Sequence, residues 1–196
     1  DHKGVVKWTK TLDGDDYRIY SLLRMEGLAD EGCVTAWVDD TLDNMAISRY
    51  DRDGKKLWQT TFPDNKFTFP DKYIMRYEFS AMTIGQDGNI LITGYVQSKD
   101  FRQEVFVMKI ETNTGKLLWR RIYSKDNNDT WIDYPRGIVS TPDGRIAIGS
   151  YREDITTANK NAKNWLLVMD SLGCSVPNCE DSLINVMKLG VGNQDL

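Results

Sequence analysis

The sequence predicts an all-β fold of the β-propeller type, with about three four-stranded antiparallel blades that form part of a larger ring. Gly32, Gly88 and Gly144 follow one another at intervals of 56 residues, and repeats of roughly 40 to 60 residues built from short strands and turns are typical of propeller blades. A second motif, a glycine followed within a few residues by tryptophan, recurs at Gly54–Trp58 and Gly115–Trp119. No window carries the 3.6-residue stripe of an amphipathic helix.

The middle repeat, residues 79–123, gives the clearest blade. Asp87-Gly88 supplies the positive φ of a tight hairpin turn between its first two strands. A second turn at Thr112–Gly115 leads into the fourth strand. That strand is predicted to be an exposed outer edge whose charges discourage pairing with another sheet; the charges are those of Lys116, Arg120 and Arg121.

The same plan extends in both directions. Residues 20–62 predict a complete first blade, and residues 136–170 predict an incomplete third blade whose fourth strand is missing. Residues 1–12 predict an outer strand that either belongs to a blade not encoded here or folds across to complete the third blade. Residues 175–196 are predicted to form a disulfide loop and a C-terminal tail. The tryptophans expected to pack between blades are Trp8, Trp58, Trp119 and Trp165.

Composition argues against several function classes. The net charge of −4 disfavours nucleic acid, whose binding needs clustered lysine and arginine. No apolar run is long enough to span a membrane, and the first residues lack the pattern of a signal peptide. The only histidine is His2, so a Ser-His-Asp or Cys-His arrangement has no base within the repeats. We therefore expect no enzymatic activity and no cofactor.

Oxygen donors are densest in the segment 124–133, where Asp126, Asn128 and Thr130 have the alternate spacing of a calcium loop. The glycine that such a loop requires is absent, so a polar connection between blades is the preferred interpretation and calcium the alternative. Aromatic side chains in the connections could pack over the blades, stack on sugar rings or anchor a protein partner; they are Phe67, Phe69, Tyr73, Tyr77, Trp131 and Tyr134.

Three cysteines are present. Cys174 and Cys179 are close neighbours, and two cysteines without further ligands do not make a structural zinc site. A small disulfide-closed loop is the better interpretation, and it implies an oxidising compartment. Cys33 lies in an apolar run and is expected to be a buried free thiol.

The run Val168–Cys174, followed by Pro177-Asn178-Cys179, resembles the end of the propeller domain in proteins secreted by the type IX system of Bacteroidota. The blade endings Tyr50–Trp58 and Ile110–Trp119 carry the same resemblance, which covers residues 1 to about 180. It implies secretion or a cell-surface location. Three short patterns also resemble the O-glycosylation acceptor of Bacteroidota and point to Thr41, Ser171 and Ser182.

A second resemblance rests on Glu111, Thr114-Gly115 and Trp119, which are similar to the tryptophan-docking repeat of pyrroloquinoline-quinone dehydrogenases and their non-enzymatic propeller relatives. It implies that the tryptophan rings stack on neighbouring blades. The calcium-bound quinone and the aspartate base of those enzymes have no recognisable counterpart in this sequence.

These observations predict an extracellular, non-enzymatic propeller that serves as a binding or assembly module for protein or glycan. The alternative is an accessory propeller domain of a secreted hydrolase or surface adhesin whose active part lies elsewhere. The expected partner is the remainder of the propeller, supplied by the same protein or by a second copy of the chain.

Overall fold

A computed structural model describes residues 8–9, 24–39, 44–63, 74–98, 103–124, 131–154, 162–175 and 184–188. Every regular element in these ranges is a β-strand, which confirms the all-β prediction. No helix in the described ranges is long and apolar enough to cross a membrane. In chain order the strands are β1 (Arg24–Gly27), β2 (Cys33–Asp39), β3 (Asn44–Tyr50), β4 (Lys56–Pro63), β5 (Ile74–Ile84), β6 (Ile90–Ser98), β7 (Gln103–Ile110), β8 (Leu117–Ser124), β9 (Trp131–Ser140), β10 (Ile146–Asp154), β11 (Ala162–Met169) and β12 (Ile184–Lys188).

Consecutive strands pair antiparallel in three blade-like sheets. Blade 1 consists of β1–β4, blade 2 of β5–β8 and blade 3 of β9–β11. This is the predicted sequence of two four-stranded blades followed by a three-stranded one.

The sheets stack face to face, with blade 2 in the middle and buried on both sides. On β7, Phe106 and Met108 point toward blade 1, whereas Val105 and Val107 point toward blade 3. All four side chains are fully buried, because alternate residues of a strand face opposite sides of the sheet. The core between blades 1 and 2 is formed by Val34, Ala36, Met45, Ile47, Phe62, Phe79, Ile90, Ile92, Val96, Phe106, Met108, Ile110 and Ile122.

The inner strands of blades 2 and 3 begin earlier than the sequence predicts. β5 starts at Ile74 and β9 at Trp131, inside segments that were expected to be blade connections. Register shifts interrupt both strands: β5 has one between Ile74 and Arg76 and one between Phe79 and Ala81, and β9 has one opposite Gly149 and Ser150. A β-bulge of this kind breaks the two-residue alternation, so the sequence pattern marks only the part of each strand beyond the bulge.

The C-terminal segment departs most from the prediction of a tail. β12 pairs parallel with β8, from Ile184 opposite Arg120 to Lys188 opposite Ser124. Blade 2 thereby gains a fifth strand, and the backbone groups on the outer edge of β8 find partners. Arg120 and Arg121 are only 3% and 4% exposed. The prediction that they form a solvated, charged outer edge is therefore wrong.

The turn between the first two strands of each blade also corrects the repeat alignment. The residue with positive φ is Glu31 in blade 1 (63°), Gly88 in blade 2 (76°) and Gly144 in blade 3 (83°). Each of these residues donates its backbone N–H to the residue three positions earlier. Glu31, and not Gly32, is therefore equivalent to the two glycines.

We expect Glu31→Gly to raise the free energy of unfolding by up to about 1 kcal/mol. The left-handed conformation costs an ordinary residue about 1–2 kcal/mol, and the greater flexibility of glycine in the unfolded chain offsets about half of that gain. Urea denaturation measures the change. Glu31→Ala is the matched control, because it removes the same side chain but keeps the strain; an equal gain in both variants would contradict this explanation.

Candidate interaction site

Blade 1 is tied to blade 2 by a tryptophan. The ring of Trp58, on β4, lies so close to Gly115 that a Cβ atom on this glycine would come within 2.7 Å of the ring. The Nε1–H of Trp58 donates to the backbone oxygen of Thr112 at 3.0 Å, and the hydroxyl of Thr60 donates to the backbone oxygen of Gly115 at 2.8 Å. The outer strand of blade 1 thus contacts and bonds the turn that precedes the outer strand of blade 2.

Blade 2 is tied to blade 3 in the same way. Trp119, on β8, is 6% exposed, and a Cβ atom on Gly173 would lie 2.9 Å from its ring. Its indole N–H has no hydrogen-bond partner in the part of the chain that the structure describes. The backbone oxygen of Ser171, which corresponds to that of Thr112, accepts a hydrogen bond from Lys109 Nζ at 3.2 Å.

Trp8 repeats this geometry at blade 1. A Cβ atom on Gly54 would lie 2.8 Å from the ring of Trp8, and the indole N–H donates to the backbone oxygen of Arg52 at 2.9 Å. Trp8 therefore takes the position of an outer-strand tryptophan from a blade that precedes blade 1. Residues 1–7 and 10–12 lie outside the described residues, so which blade this segment completes stays a prediction.

A cation forms a second tie at each seam. Arg49, the last but one residue of β3, pairs with Asp30 of its own blade at 2.7 Å and donates to the backbone oxygen of Thr112 in blade 2 at 3.0 Å. Lys109, at the equivalent position of β7, pairs with Asp87 at 2.7 Å and reaches blade 3. Each cation thus links a turn of its own blade to a turn of the next.

The aspartates of these pairs are stabilised in their ionised form. The hydrogen bond from Arg49 is the main reason that the pKa of Asp30 lies below its ordinary value. For Asp87 burial acts in the opposite direction and is the largest single influence, but hydrogen bonds from Lys109 and Asn89 outweigh it and lower the pKa. Because both pKa values are depressed, the two ties contribute above the ordinary carboxylate range and weaken as the pH falls through the lowered values.

Blade 3 presents a different outward side. Val139 and Val168 flank Ala147 across the sheet, and they are 57% and 38% exposed; Leu166, on the same face, is 68% exposed. The equivalent residues of β7 in blade 2 are Val107 and Lys109, which the next blade buries to 0% and 8% exposure. We call the surface formed by Val139, Leu166 and Val168 the open face of blade 3.

Three tyrosines join blades 2 and 3 at the end of the seam that lies away from the tryptophan. The ring centroid of Tyr134 lies 6.0 Å from that of Tyr95 and 5.4 Å from that of Tyr151. The guanidinium of exposed Arg136 lies 5.6 Å from the Tyr134 ring. Tyr95 also donates its hydroxyl to Glu78. This arrangement seals the seam, and the aromatic residue Tyr134 of the predicted connections takes part in packing.

Trp165 does not take the docking position of the other three tryptophans. It lies within blade 3, on β11, and its Nε1–H donates to Asp133 Oδ1 at 3.1 Å. Arg152 binds both carboxylate oxygens of Asp133, at 2.6 and 2.8 Å, and its guanidinium lies 5.5 Å from the Trp165 ring. Because Asp133 is only 5% exposed, this group is a buried polar contact within blade 3. The Trp165 ring also packs against the hydrophobic cluster between blades 2 and 3, so it contributes to packing between blades without docking on a glycine.

The cysteines divide into one free and one bonded residue in the described ranges. Cys33 is a free, half-buried thiol, and burial raises its pKa. Cys174 is disulfide-bonded. Cys179 lies outside the described residues, so the pairing of these two cysteines stays a prediction.

Other predicted sites are only partly covered. Ser171 is exposed, whereas Thr41 and Ser182 lie outside the described residues. Most of the candidate calcium segment, residues 125–130, lies outside them as well. Within the described ranges no group of three or more histidine, cysteine, aspartate or glutamate side chains is placed to hold a metal ion.

Sequence reasoning missed the two cation ties. Their signal is present in the repeats, since Asp30 and Asp87 occupy the same turn position and Arg49 and Lys109 the same strand position. Aligning Gly32 with Gly88 shifts the first repeat by one residue. In that alignment Asp30 no longer matches Asp87, so the first ion pair is not recognised. Without a structure, nothing in the sequence shows that these side chains reach the next blade.

Comparisons with known proteins give little further information. No family model matches the chain, and no curated protein matches it. Among solved structures, the crystal structure of an ACO/RPE65 chimera aligns with 82% of this chain at 13% sequence identity and a TM-score of 0.48. The aligned region makes up 38% of that structure's chain.

Proposed function

We propose that this chain is an extracellular, non-enzymatic binding or assembly module of the propeller type, and that the open face of blade 3 is its contact surface for a protein partner. The observation that carries the proposal is the contrast between two equivalent surfaces. Val107 is fully buried by the next blade, whereas Leu166, at the same position of the following blade, is 68% exposed.

The residues of the open face favour a protein partner over a glycan or an ion. Val168 replaces the cation that Lys109 provides one blade earlier, and Asp143, in the adjoining turn, is already paired with Arg145 at 2.7 Å. The surface is therefore apolar at its centre and has lost the ionic tie of the regular seams. Contiguous apolar surface rimmed by polar residues is typical of protein–protein contacts.

An extracellular location is supported by the disulfide at Cys174, because disulfides persist mainly in oxidising compartments. The resemblance of Val168–Cys174 to the end of type IX-secreted propellers points in the same direction and suggests that export route. Secretion or display at the cell surface is thus part of the proposal.

Size-exclusion chromatography with light scattering tests the contact surface. We expect the 22.5 kDa chain to form a larger species, and Leu166→Asp with Val168→Asp to weaken this association at least tenfold. Burial of one such side chain contributes about 1.5–3 kcal/mol, and about 1.4 kcal/mol corresponds to a factor of ten.

The matched control is Leu57→Asp, which changes an apolar residue of blade 1 that is 48% exposed. It should leave the association unchanged, and circular dichroism should show that all variants keep their fold. A well-folded wild-type monomer over the whole concentration range would overturn the proposal.

A further inference from the structure

The open face of blade 3 carries a bulky side chain beside a hollow. Leu166 lies opposite Gly149, and Gly149 lies opposite Gly137, so the three residues form one row across the sheet. Leu166 is 68% exposed. A Cβ atom on either glycine would meet nothing within 4 Å. The row is therefore raised at the edge strand β11 and empty above the two glycines, and we call the space above Gly137 and Gly149 the hollow.

The equivalent row of blade 2 has a different shape. It consists of Val107, Thr93 and Ala81. Val107 and Thr93 are fully buried by blade 3, so a regular seam has side chains at the centre of this row. In blade 3 the row is larger at its edge and smaller at its centre. A surface that fits the open face must fill the hollow and must also make room for Leu166.

We propose that the open faces of two copies of this chain pack against each other around a two-fold axis, with Leu166 of each copy in the hollow of the other. This rests on the proposed assembly function and names the partner. In a two-fold contact every insertion of one residue is matched by the same insertion from the other copy. A bulky residue and a hollow side by side on one face are therefore complementary to a second copy of that face.

The strand pairing gives the orientation of the two sheets. When the two-fold axis runs parallel to the strands above β10, β11 of each copy lies over β9 of the other, and Leu166 faces Gly137. In the neighbouring row Val168 and Val139 lie on either side of Ala147, so Val168 faces Val139 of the second copy. Sheets that pack face to face keep their strand directions within about 30°, so both rows stay opposed.

The outward side of blade 1 is not free to cover the open face instead. Thr35, Ala46 and Ser48 lie on that side, because their neighbours along the strands belong to the core between blades 1 and 2. They are 4%, 1% and 0% exposed, so a head-to-tail stack of copies would first have to uncover them. The two-fold contact needs the open face alone, and it closes as a dimer because each copy has used its face.

The size of blade 3 indicates a weak dimer. Three strands spaced about 4.8 Å apart, with eight residues in β11 at about 3.3 Å each, give a footprint of roughly 14 Å by 26 Å on each copy. Such an area lies at the low end of specific protein contacts. We therefore expect the dimer to dissociate on dilution.

Filling the hollow tests this contact. In a Cys33→Ser background, which removes the free thiol as a source of linked copies, Gly137→Leu should weaken dimerisation at least tenfold, because the new side chain occupies the space of Leu166. Sedimentation and light scattering over a range of concentrations measure the dissociation constant. The matched control is Gly27→Leu, which adds the same side chain to an exposed glycine of blade 1 with equally open surroundings and should leave dimerisation unchanged.

Exchanging the two shapes should restore the contact. Leu166→Ala alone should weaken dimerisation about tenfold, since a buried leucine loses most of its apolar surface. The double variant Gly137→Leu with Leu166→Ala moves the bulky residue from β11 to β9, opposite the new alanine, and should dimerise within about threefold of the parent. Circular dichroism checks the fold of each variant. If Gly137→Leu does not fold, Gly149→Val fills the same hollow from β10 and should weaken the dimer likewise.

The outcomes separate the two proposals. A wild-type chain that reaches twice 22.5 kDa and no more, with loss in the filled variant and recovery in the double variant, supports the two-fold contact. Species that grow beyond the dimer, tighter association of Gly137→Leu, or no recovery in the double variant would overturn it and leave the assembly function standing. A wild-type monomer at all concentrations would overturn both.

Discussion

Replacing Trp119 by alanine is expected to lower the free energy of unfolding by about 3–5 kcal/mol, the usual cost of removing a large aromatic side chain from a core. The ring is 6% exposed, lies against Gly173 and has the guanidinium of Arg121 at 5.7 Å. Urea denaturation followed by fluorescence of the remaining tryptophans measures the change. A loss below about 1 kcal/mol would mean that Trp119 does not hold blades 2 and 3 together.

Phenylalanine substitutions at the two docking tryptophans, Trp58 and Trp119, separate the effect of packing from that of hydrogen bonding. The indole N–H of Trp119 has no partner in the described part of the chain, so Trp119→Phe loses apolar contact alone. Trp58→Phe also loses the bond to the Thr112 backbone oxygen, which contributes about 0.5–1.5 kcal/mol. Trp58→Phe should therefore lower the free energy of unfolding more than Trp119→Phe. Equal losses would mean that the seams are sensitive to any substitution and not to this hydrogen bond.

Gly115→Ala is expected to cost about 2–5 kcal/mol. The φ of this residue is 73°, which costs a residue with a Cβ about 1–2 kcal/mol. The added Cβ would also lie 2.7 Å from the Trp58 ring, and overpacking of this kind costs typically 1–3 kcal/mol. The loss should appear as a lower midpoint of urea denaturation with an unchanged slope.

Gly88→Ala is the matched control. Gly88 has nearly the same φ, 76°, but an added Cβ would meet nothing within 4 Å. It should therefore show only the cost of the backbone conformation. If both variants lost the same amount, the close approach between Trp58 and Gly115 would contribute nothing to the seam.

The architecture could be read from the sequence because it repeats. Each blade has its own two-residue alternation and its own glycine turn. A strand that is ambiguous in one repeat can therefore be assigned by comparison with the next. The two glycine-to-tryptophan motifs at Trp58 and Trp119 mark equivalent outer strands for the same reason. Trp165 has no such motif around it: its indole N–H bonds Asp133 inside its own blade, and its ring packs against the cluster between blades 2 and 3.

Features that occur once, or that join distant residues, could not be predicted. Glu31 has the positive φ that Gly88 and Gly144 have in the other repeats. A glycine at a turn predicts this conformation, whereas a glutamate does not. The contacts of Arg49 and Lys109 with the next blade depend on how the sheets stack. The exposure of Leu166 likewise could not be predicted. An apolar residue at an alternating strand position predicts burial, whether or not another blade covers that face.

The parallel strand β12 has a consequence for synthesis of the protein. β8 ends at Ser124, and its partner β12 begins at Ile184, so the ribosome must finish all of blade 3 before the partner strand exists. During that interval a nascent chain carries blade 2 with the outer edge of β8 open, and open edges of this kind invite pairing with other chains. The strand that covers the edge of blade 2 is therefore synthesised only after blade 3, and it belongs to no repeat.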